Sequence, residues 1–196
     1  MTTERDTHWV RRVAPAEAQA PLDAVYERIL ARSSRGRVSN LWQAQGLDPA
    51  ALDAVDSMYQ ALMRTPAPLS QAQAELIALV VSATNGCGYC VAHHGPRLAN
   101  ALGDEALARA VALDYREANL TARDRVLLDY AVALTCEPSE RKLEDIERVR
   151  EYGFDDAMIV RATAITAFYN MVSRIASALG VGPEDGMEAW PFGSQK

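Results

Sequence analysis

Two helical patterns stand back to back in the middle of this chain with almost no linker between them, and that join limits what it can fold into. The first opens with Ser70 and Gln73, the spacing of a reciprocal N-terminal cap, and continues through the apolar run LIALVVSAT. Asn85-Gly86 then supplies the residue types that stop a helix by entering the left-handed region. Helical spacing resumes at once, from about residue 88 to His94. Period-2 alternation is nearly absent from the rest of the chain, so the expected class is all-α.

The join carries Cys87 and Cys90, a Cys-x-x-Cys pair, with His94 four residues beyond the second cysteine. Such a pair serves as a redox dithiol, as half of a zinc site, or as an incidental pair in a structural turn. Cys87 lies at the start of the second helix, where unpaired N–H groups and the helix dipole favour a thiolate over a thiol. On the 3.6-residue period Cys87, Cys90 and His94 share one stripe, and a histidine there can exchange the proton that a thiol must lose before it attacks. His93 sits at the edge of the stripe as a weaker candidate. Tyr89 reads either as an interface ring or as a proton donor.

Glu75 is the one ionisable residue within the apolar helix before the pair. A buried carboxylate there needs a partner or a raised pKa, and facing the thiols it would end a proton relay through His94 or water. The plainer alternative is a solvent-exposed glutamate or one paired with an arginine. Ser82, seven residues later on the same face, is a further candidate. Gly95-Pro96 predicts that the second helix kinks or ends just after His94, because proline cannot donate to the Ala92 carbonyl.

Further helices are expected at about 22–31, 50–63, 104–113, 121–135 and 142–152, with a long apolar one at 156–179 that Gly180 ends. Residues 33–47 read as a loop or short turns with Trp42 as an anchor. Asn170 and Arg174, one turn apart, are assigned a structural use. The tail after Gly182 holds Trp190 and Phe192, which predicts that it docks. Cys136 reads as a small buried or half-buried hydrophobe at a helix end. This organisation gives an N-terminal helical extension over 1–68, a helical core over 69–182 and an extended tail over 183–196.

The chain has 196 residues, 49% of them hydrophobic, with net charge −6, which supports one globular unit. The basic residues near 32–37 and 141–150 are interleaved with small or acidic ones, so no nucleic-acid footprint is expected. An uninterrupted run of eighteen apolar residues is absent and the start MTTERDTHWVRR lacks the apolar core of a signal peptide, so a membrane or exported protein is not expected and a cytoplasmic one is. Three cysteines, an odd number, also argue against a secreted disulfide framework.

The order Glu75, Cys87, Cys90, His94, written E-x11-C-x-x-C-x3-H, resembles the alkylhydroperoxidase D and carboxymuconolactone decarboxylase superfamily. SATNGCGYCVAHHG, with RVSNLWQAQGLDP upstream and FYNMVSRIASALG near the C-terminus, is similar to its peroxidase-related branch. The resemblance implies an AhpD-like helical bundle that assembles as trimers or hexamers and reduces small or organic hydroperoxides. It implies no cofactor and no metal, with an external dithiol as reductant. Carried over by position, Cys90 is the peroxidatic cysteine, Cys87 the residue that closes the disulfide, and Glu75 and His94 the proton relay. Better-studied members place a histidine immediately before the second cysteine, where this chain has Tyr89. The decarboxylase branch lacks the cysteine pair. The residues alone leave three other readings: a metal set of Cys87, Cys90, His94 and Glu75, a catalytically silent helical oligomer, and a general dithiol–disulfide oxidoreductase.

Overall fold

A computed structural model describes residues 9–33, 35–65 and 68–195. Nine α-helices and no strand occur among them: α1 (Leu22–Arg32), α2 (Asn40–Gln45), α3 (Pro49–Met63), α4 (Gln71–Thr84), α5 (Gly88–Leu102), α6 (Glu105–Asp114), α7 (Ala122–Cys136), α8 (Leu143–Glu151) and α9 (Asp156–Ala178). Their starts follow from side-chain caps. Ser39, Asp48, Ser70, Asp104, Thr121 and Asp155 each accept a backbone N–H from the first turn that follows. Ser70 and Gln73 form the reciprocal box that the spacing predicts.

Helix α4 is the axis of the molecule because every residue from Ala74 to Thr84 is buried. It packs against α5, α6, α7 and α9, so a helix apolar on all faces is covered on all faces. Ile77, Ala78, Leu79, Val80 and Val81 have no exposed surface, and truncating Leu79 to alanine would cost about 2–5 kcal/mol. A second, smaller cluster joins Val13, Leu22, Val25, Tyr26, Ile29, Val38 and Leu52, and Trp42 packs on both clusters. The anchoring role expected of Trp42 thus has a location, between α1 and α3 on one side and the core on the other.

Three expectations are corrected. Residues 33–47 are not all loop: Ser39 caps α2, which buries Leu41 and Ala44. Helix α5 does not end or break after His94 but runs through Pro96 to Leu102, where Gly103 closes it at φ +66°. Pro96 removes a single hydrogen bond, while the helix is buried on both sides of it, from Tyr89 to Gly95 and at Leu98, and Gly95 leaves room for the Trp190 ring on its Cα. Cys136, the last residue of α7, is exposed rather than buried or half-buried, because the helix ends there and carries it clear of the core. The start read for a missing signal-peptide core lies, through residue 8, outside the described residues.

Residues 181–195 form no helix yet bind tightly. Trp190 covers Gly95 and Phe192 approaches Gly88, seven residues apart on one side of α5. At the end of α6 the Gln195 amide donates to Ala112 O and Leu113 O, both at 3.0 Å, and accepts from Tyr115 N at 3.1 Å. The docking expected of the aromatic tail is therefore a clasp across α5 and α6. Among the described residues no helix is long and apolar enough to cross a membrane.

Candidate active site

The α4–α5 join places the sulfurs. Gly86 takes φ +69°, which turns the chain sharply enough for Cys87 N to donate to Ser82 O at 3.0 Å. Cys87 is the N-cap of α5, and its Sγ accepts the Cys90 N–H at 3.3 Å. The two cysteines are joined as a disulfide with Cα atoms 5.3 Å apart, and each is 3% exposed. Only Cys90 of the pair lines a cleft of about 130 Å³, together with His93, His94 and Arg97 from successive turns of α5. Across from them α9 contributes Phe168, Tyr169 and Val172 to the lining, and the Ser173 hydroxyl donates to Cys90 Sγ at 3.8 Å.

Behind the cleft, Glu75 Oε2 lies 2.7 Å from His94 Nδ1, while Glu75 Oε1 accepts from Gln71 Nε2 at 3.1 Å. The glutamate is 2% exposed and its hydrogen-bonded partner is the histidine, so neither the exposed nor the arginine-paired alternative describes it. Burial alone would raise the Glu75 pKa, but the charge and hydrogen bond of His94, with Arg97 and Arg64 further off, bring it below the ordinary carboxylate value. Burial lowers the His94 pKa against the opposing pull of Glu75. Both directions describe one state, an ionised Glu75 and a neutral His94. The carboxylate then accepts the Nδ1 proton and leaves Nε2 as a basic lone pair. Tyr169 meets the His94 ring edge-on at 4.6 Å and 80°, which fixes its plane.

A second pair stands beside the first. His93 Nε2 lies 2.9 Å from Glu184 Oε2, and Glu184 Oε1 accepts from Asn40 N at 2.9 Å and Tyr89 Oη at 3.1 Å. Tyr89 in turn accepts the Leu41 N–H at 3.3 Å. Burial would raise the Glu184 pKa, but His93 and the Asn40 N–H carry it down to about 2. Burial lowers the His93 pKa and raises that of Tyr89, so the phenol keeps its proton as a hydrogen-bond donor. Glu184 went unread in the sequence. A signal existed in the small-residue stripe of Gly88, Ala92, Gly95 and Ala99, a seat for a covering segment, and in the acid following Pro183 in a tail already expected to dock.

Ser82 stands apart from the cleft, its hydroxyl donating to Ala78 O at 2.6 Å within α4. Asn170 and Arg174 have the structural use expected of them: Arg174 Nη1 donates to Asn170 Oδ1 at 2.8 Å, and Asn170 Oδ1 accepts from Asn85, the C-cap of α4, at 3.1 Å. The proposed metal set does not converge, since both sulfurs are bonded to each other and Glu75 holds His94 Nδ1. Among the described residues no group of three or more His, Cys, Asp or Glu side chains is arranged to hold a metal ion.

A carboxymuconolactone decarboxylase family model matches residues 49–113, from the start of α3 into α6. The solved structure of an uncharacterized peroxidase-related protein from Ralstonia eutropha JMP134, described as an alkylhydroperoxidase AhpD core, is 30% identical, with a TM-score of 0.85 over 92% of this chain and 94% of that one. An uncharacterized peroxidase-related protein from Silicibacter sp. TM1040 is 32% identical, with a TM-score of 0.83 over 95% and 97%. The debrominase Bmp8, at 18% identity and a TM-score of 0.70 over 92% and 93%, shares the fold. No curated protein matches the chain significantly. With a helical frame, a cysteine pair at the α5 start and relatives of this identity over nearly their whole length, the chain belongs to the alkylhydroperoxidase D and carboxymuconolactone decarboxylase superfamily.

Proposed function

We propose that this protein is a thiol-dependent peroxidase that reduces alkyl hydroperoxides through a Cys87/Cys90 dithiol–disulfide cycle, with Glu75 and His94 as its proton relay. The observation that carries the reading is the disulfide at the α5 N-terminus whose Cys90 half lines a cleft shared with His94, itself hydrogen-bonded to buried Glu75. In the reduced enzyme His94 accepts the Cys90 proton. The thiolate attacks the terminal oxygen of ROOH, the O–O bond breaks, and ROH leaves with a proton returned by the relay. Cys90–SOH then condenses with the Cys87 thiol, releasing water and forming the disulfide. A dithiol returns two electrons and two protons, so the sum is ROOH + R′(SH)₂ → ROH + H₂O + R′S₂.

Both cysteines are 3% exposed, which favours a slender small-molecule substrate and a slender dithiol donor over general exchange with folded disulfide proteins. An antioxidant role in the cytoplasm suits a cycle whose product must be re-reduced. Assembly as a homo-oligomer, a trimer or hexamer, would cover apolar surface such as Val160 and Met171 on α9. The test is the free-thiol count and intact mass of the reduced protein after one equivalent of cumene hydroperoxide. The expected result is rapid loss of two thiols and of two daltons, mapped to Cys87 and Cys90. Cys87→Ser should accumulate a sulfenic acid at Cys90 that dimedone traps, and Cys90→Ser should consume no peroxide. Full consumption by Cys90→Ser would overturn the assignment.

A further inference from the structure

We propose that the cleft above Cys90 selects hydroperoxides that carry a carboxylate, which Arg97 and Arg64 hold while the peroxide group lies at the sulfur. The inference rests on the peroxidase reading and names the substrate class of that same site.

The first observation is a charge reversal. The chain is acidic, with net charge −6, yet its cleft is lined by Arg32, Arg35, Arg37, Arg64 and Arg97 against two carboxylates, Asp56 and Glu184. Both carboxylates already have partners. Asp56 lies 3.5 Å from Arg32 and accepts from Gln60, and Glu184 is shared by His93, Tyr89 and Asn40. Arg35, Arg37, Arg64 and Arg97 therefore face the cleft with no ion pair among the described residues. Neutral His93 and His94 add no charge.

The second observation is a set of orphaned donors. Arg97 extends the α5 stripe one turn beyond His93, is half-buried, and makes no side-chain hydrogen bond among the described residues. Its guanidinium lies 5.9 Å from the Tyr59 ring centroid, and that of Arg64 lies 5.6 Å from the same ring. Among the described residues the Tyr59 and Tyr169 hydroxyls are buried without a hydrogen-bond partner, and both line this cleft. Among the described residues one half-buried guanidinium and two buried hydroxyls meet in this cleft without an acceptor, with the exposed Arg64 beside them, and a carboxylate supplies two oxygens. Glu75 is the competing anion, since its charge reaches Arg97 and Arg64. Its own oxygens are committed to His94 and Gln71, and it forms no ion pair with either arginine.

The apolar part of the lining, Ile29, Leu41, Trp42, Phe168 and Val172, suits a hydrocarbon body, with Ser33, Ser39 and Gln60 as further polar lining. A volume of about 130 Å³ is close to the roughly 150 Å³ that accepts a benzene ring in a protein core. The carboxylate changes no bond: O–O cleavage, alcohol release and disulfide closure balance as above, with a dithiol supplying the electrons.

The test compares cumene hydroperoxide, its para-carboxylated derivative and the methyl ester of that derivative, following thiol loss in the reduced full-length protein by stopped flow. The carboxylated peroxide should react at least about tenfold faster in kcat/KM than its ester at low ionic strength, and salt should shrink the ratio. Arg97→Gln should collapse the ratio to within about threefold, and Arg64→Gln serves as the second variant should the first fail to fold. Calorimetry with para-isopropylbenzoate and para-isopropylbenzamide, neither of which can react, reads the anion site apart from the chemistry. Equal rates for all three peroxides, or a ratio unchanged in both variants, would overturn the proposal and leave the peroxidase standing. If no peroxide consumed thiols, the peroxidase reading would fall and take the substrate assignment with it. Arginine-dependent preference for the benzoate over the benzamide would in that case preserve the anion site alone.

Discussion

His93 and His94 are neighbours on α5 and each binds a glutamate, but the two pairs are built from different parts of the molecule. His94 meets Glu75 across 19 residues of sequence, helix to helix, in the centre of the core at 2.7 Å. His93 meets Glu184 across 91 residues at 2.9 Å, and the carboxylate arrives on a segment with no regular structure. Glu75 is held by the packing that holds the whole fold, so its position comes with α4. Glu184 is held by a clasp, and its position depends on Trp190, Phe192 and Gln195 staying seated. The first pair backs the cysteine face of the cleft, and the second ties Tyr89, Asn40 and the tail together at its rim.

The largest expected contrast comes from removing each carboxylate in turn. Glu75→Gln should lower kcat/KM for a hydroperoxide by about 10²–10³-fold, the range for a positioned proton-transfer group, while circular dichroism stays native. Glu184→Gln should cost at most about tenfold in rate and show instead as about 1–3 kcal/mol of lost stability, since it leaves buried donors on His93 and Asn40 poorly matched. Equal rate losses in the two variants would erase the distinction between a relay and a clasp.

Gly95→Ala tests the clasp without touching either carboxylate. A Cβ there would run into the Trp190 ring, so the tail must shift. A destabilisation of about 1–3 kcal/mol and a red shift of tryptophan emission are expected, and unchanged emission would contradict the seat on Gly95.

Acid titration is a milder probe. His93 and His94 both have lowered pKa values in the fold, so the unfolded chain binds more protons below the ordinary histidine value of 6.5. Their contribution is complete above that pH and is lost as pH falls. Glu75 and Glu184 are lowered too, so theirs is complete above the ordinary 4.5 and is lost on further acidification. Thermal denaturation should therefore show Tm falling in two stages below pH 6.5, and the acid limb of kcat/KM should lie below that pH rather than above it. A Tm that rose between pH 6 and 5 would contradict the neutral, buried histidines. The smallest effect belongs to Gly88→Ala, whose Cβ would meet Phe192 at 3.5 Å, an ordinary contact. Stability should change by no more than about 0.5 kcal/mol, and calorimetry would check it.

The same contrast explains what the sequence discloses. The α4–α5 join, the Ser70 cap and the apolar length of α4 are local patterns, and the structure contains each of them. Glu75 stands out because a lone carboxylate in such a run demands an explanation within its own surroundings. Glu184, Tyr169 and Ser173 carry no comparable mark, because what brings them to Cys90 and its cleft is packing between segments far apart in the chain, whereas Arg97 lies on the α5 stripe itself and is legible there. Pro96 misleads in the opposite way. Its rule concerns one missing hydrogen bond, while α5 is buried on both sides of it, from Tyr89 to Gly95 and at Leu98. Cys136 misleads because an apolar helix does not reveal which face its final residue presents.

The distance the tail must travel along the chain also ranks the two pairs in time. Closing a contact over 19 residues costs less chain entropy than closing one over 91, and contacts near in sequence form early. Refolding should therefore deliver a helical intermediate in which His94 already has its glutamate while His93 does not. A late phase in Trp190 emission, following the recovery of helical circular dichroism, would mark the moment the clasp shuts.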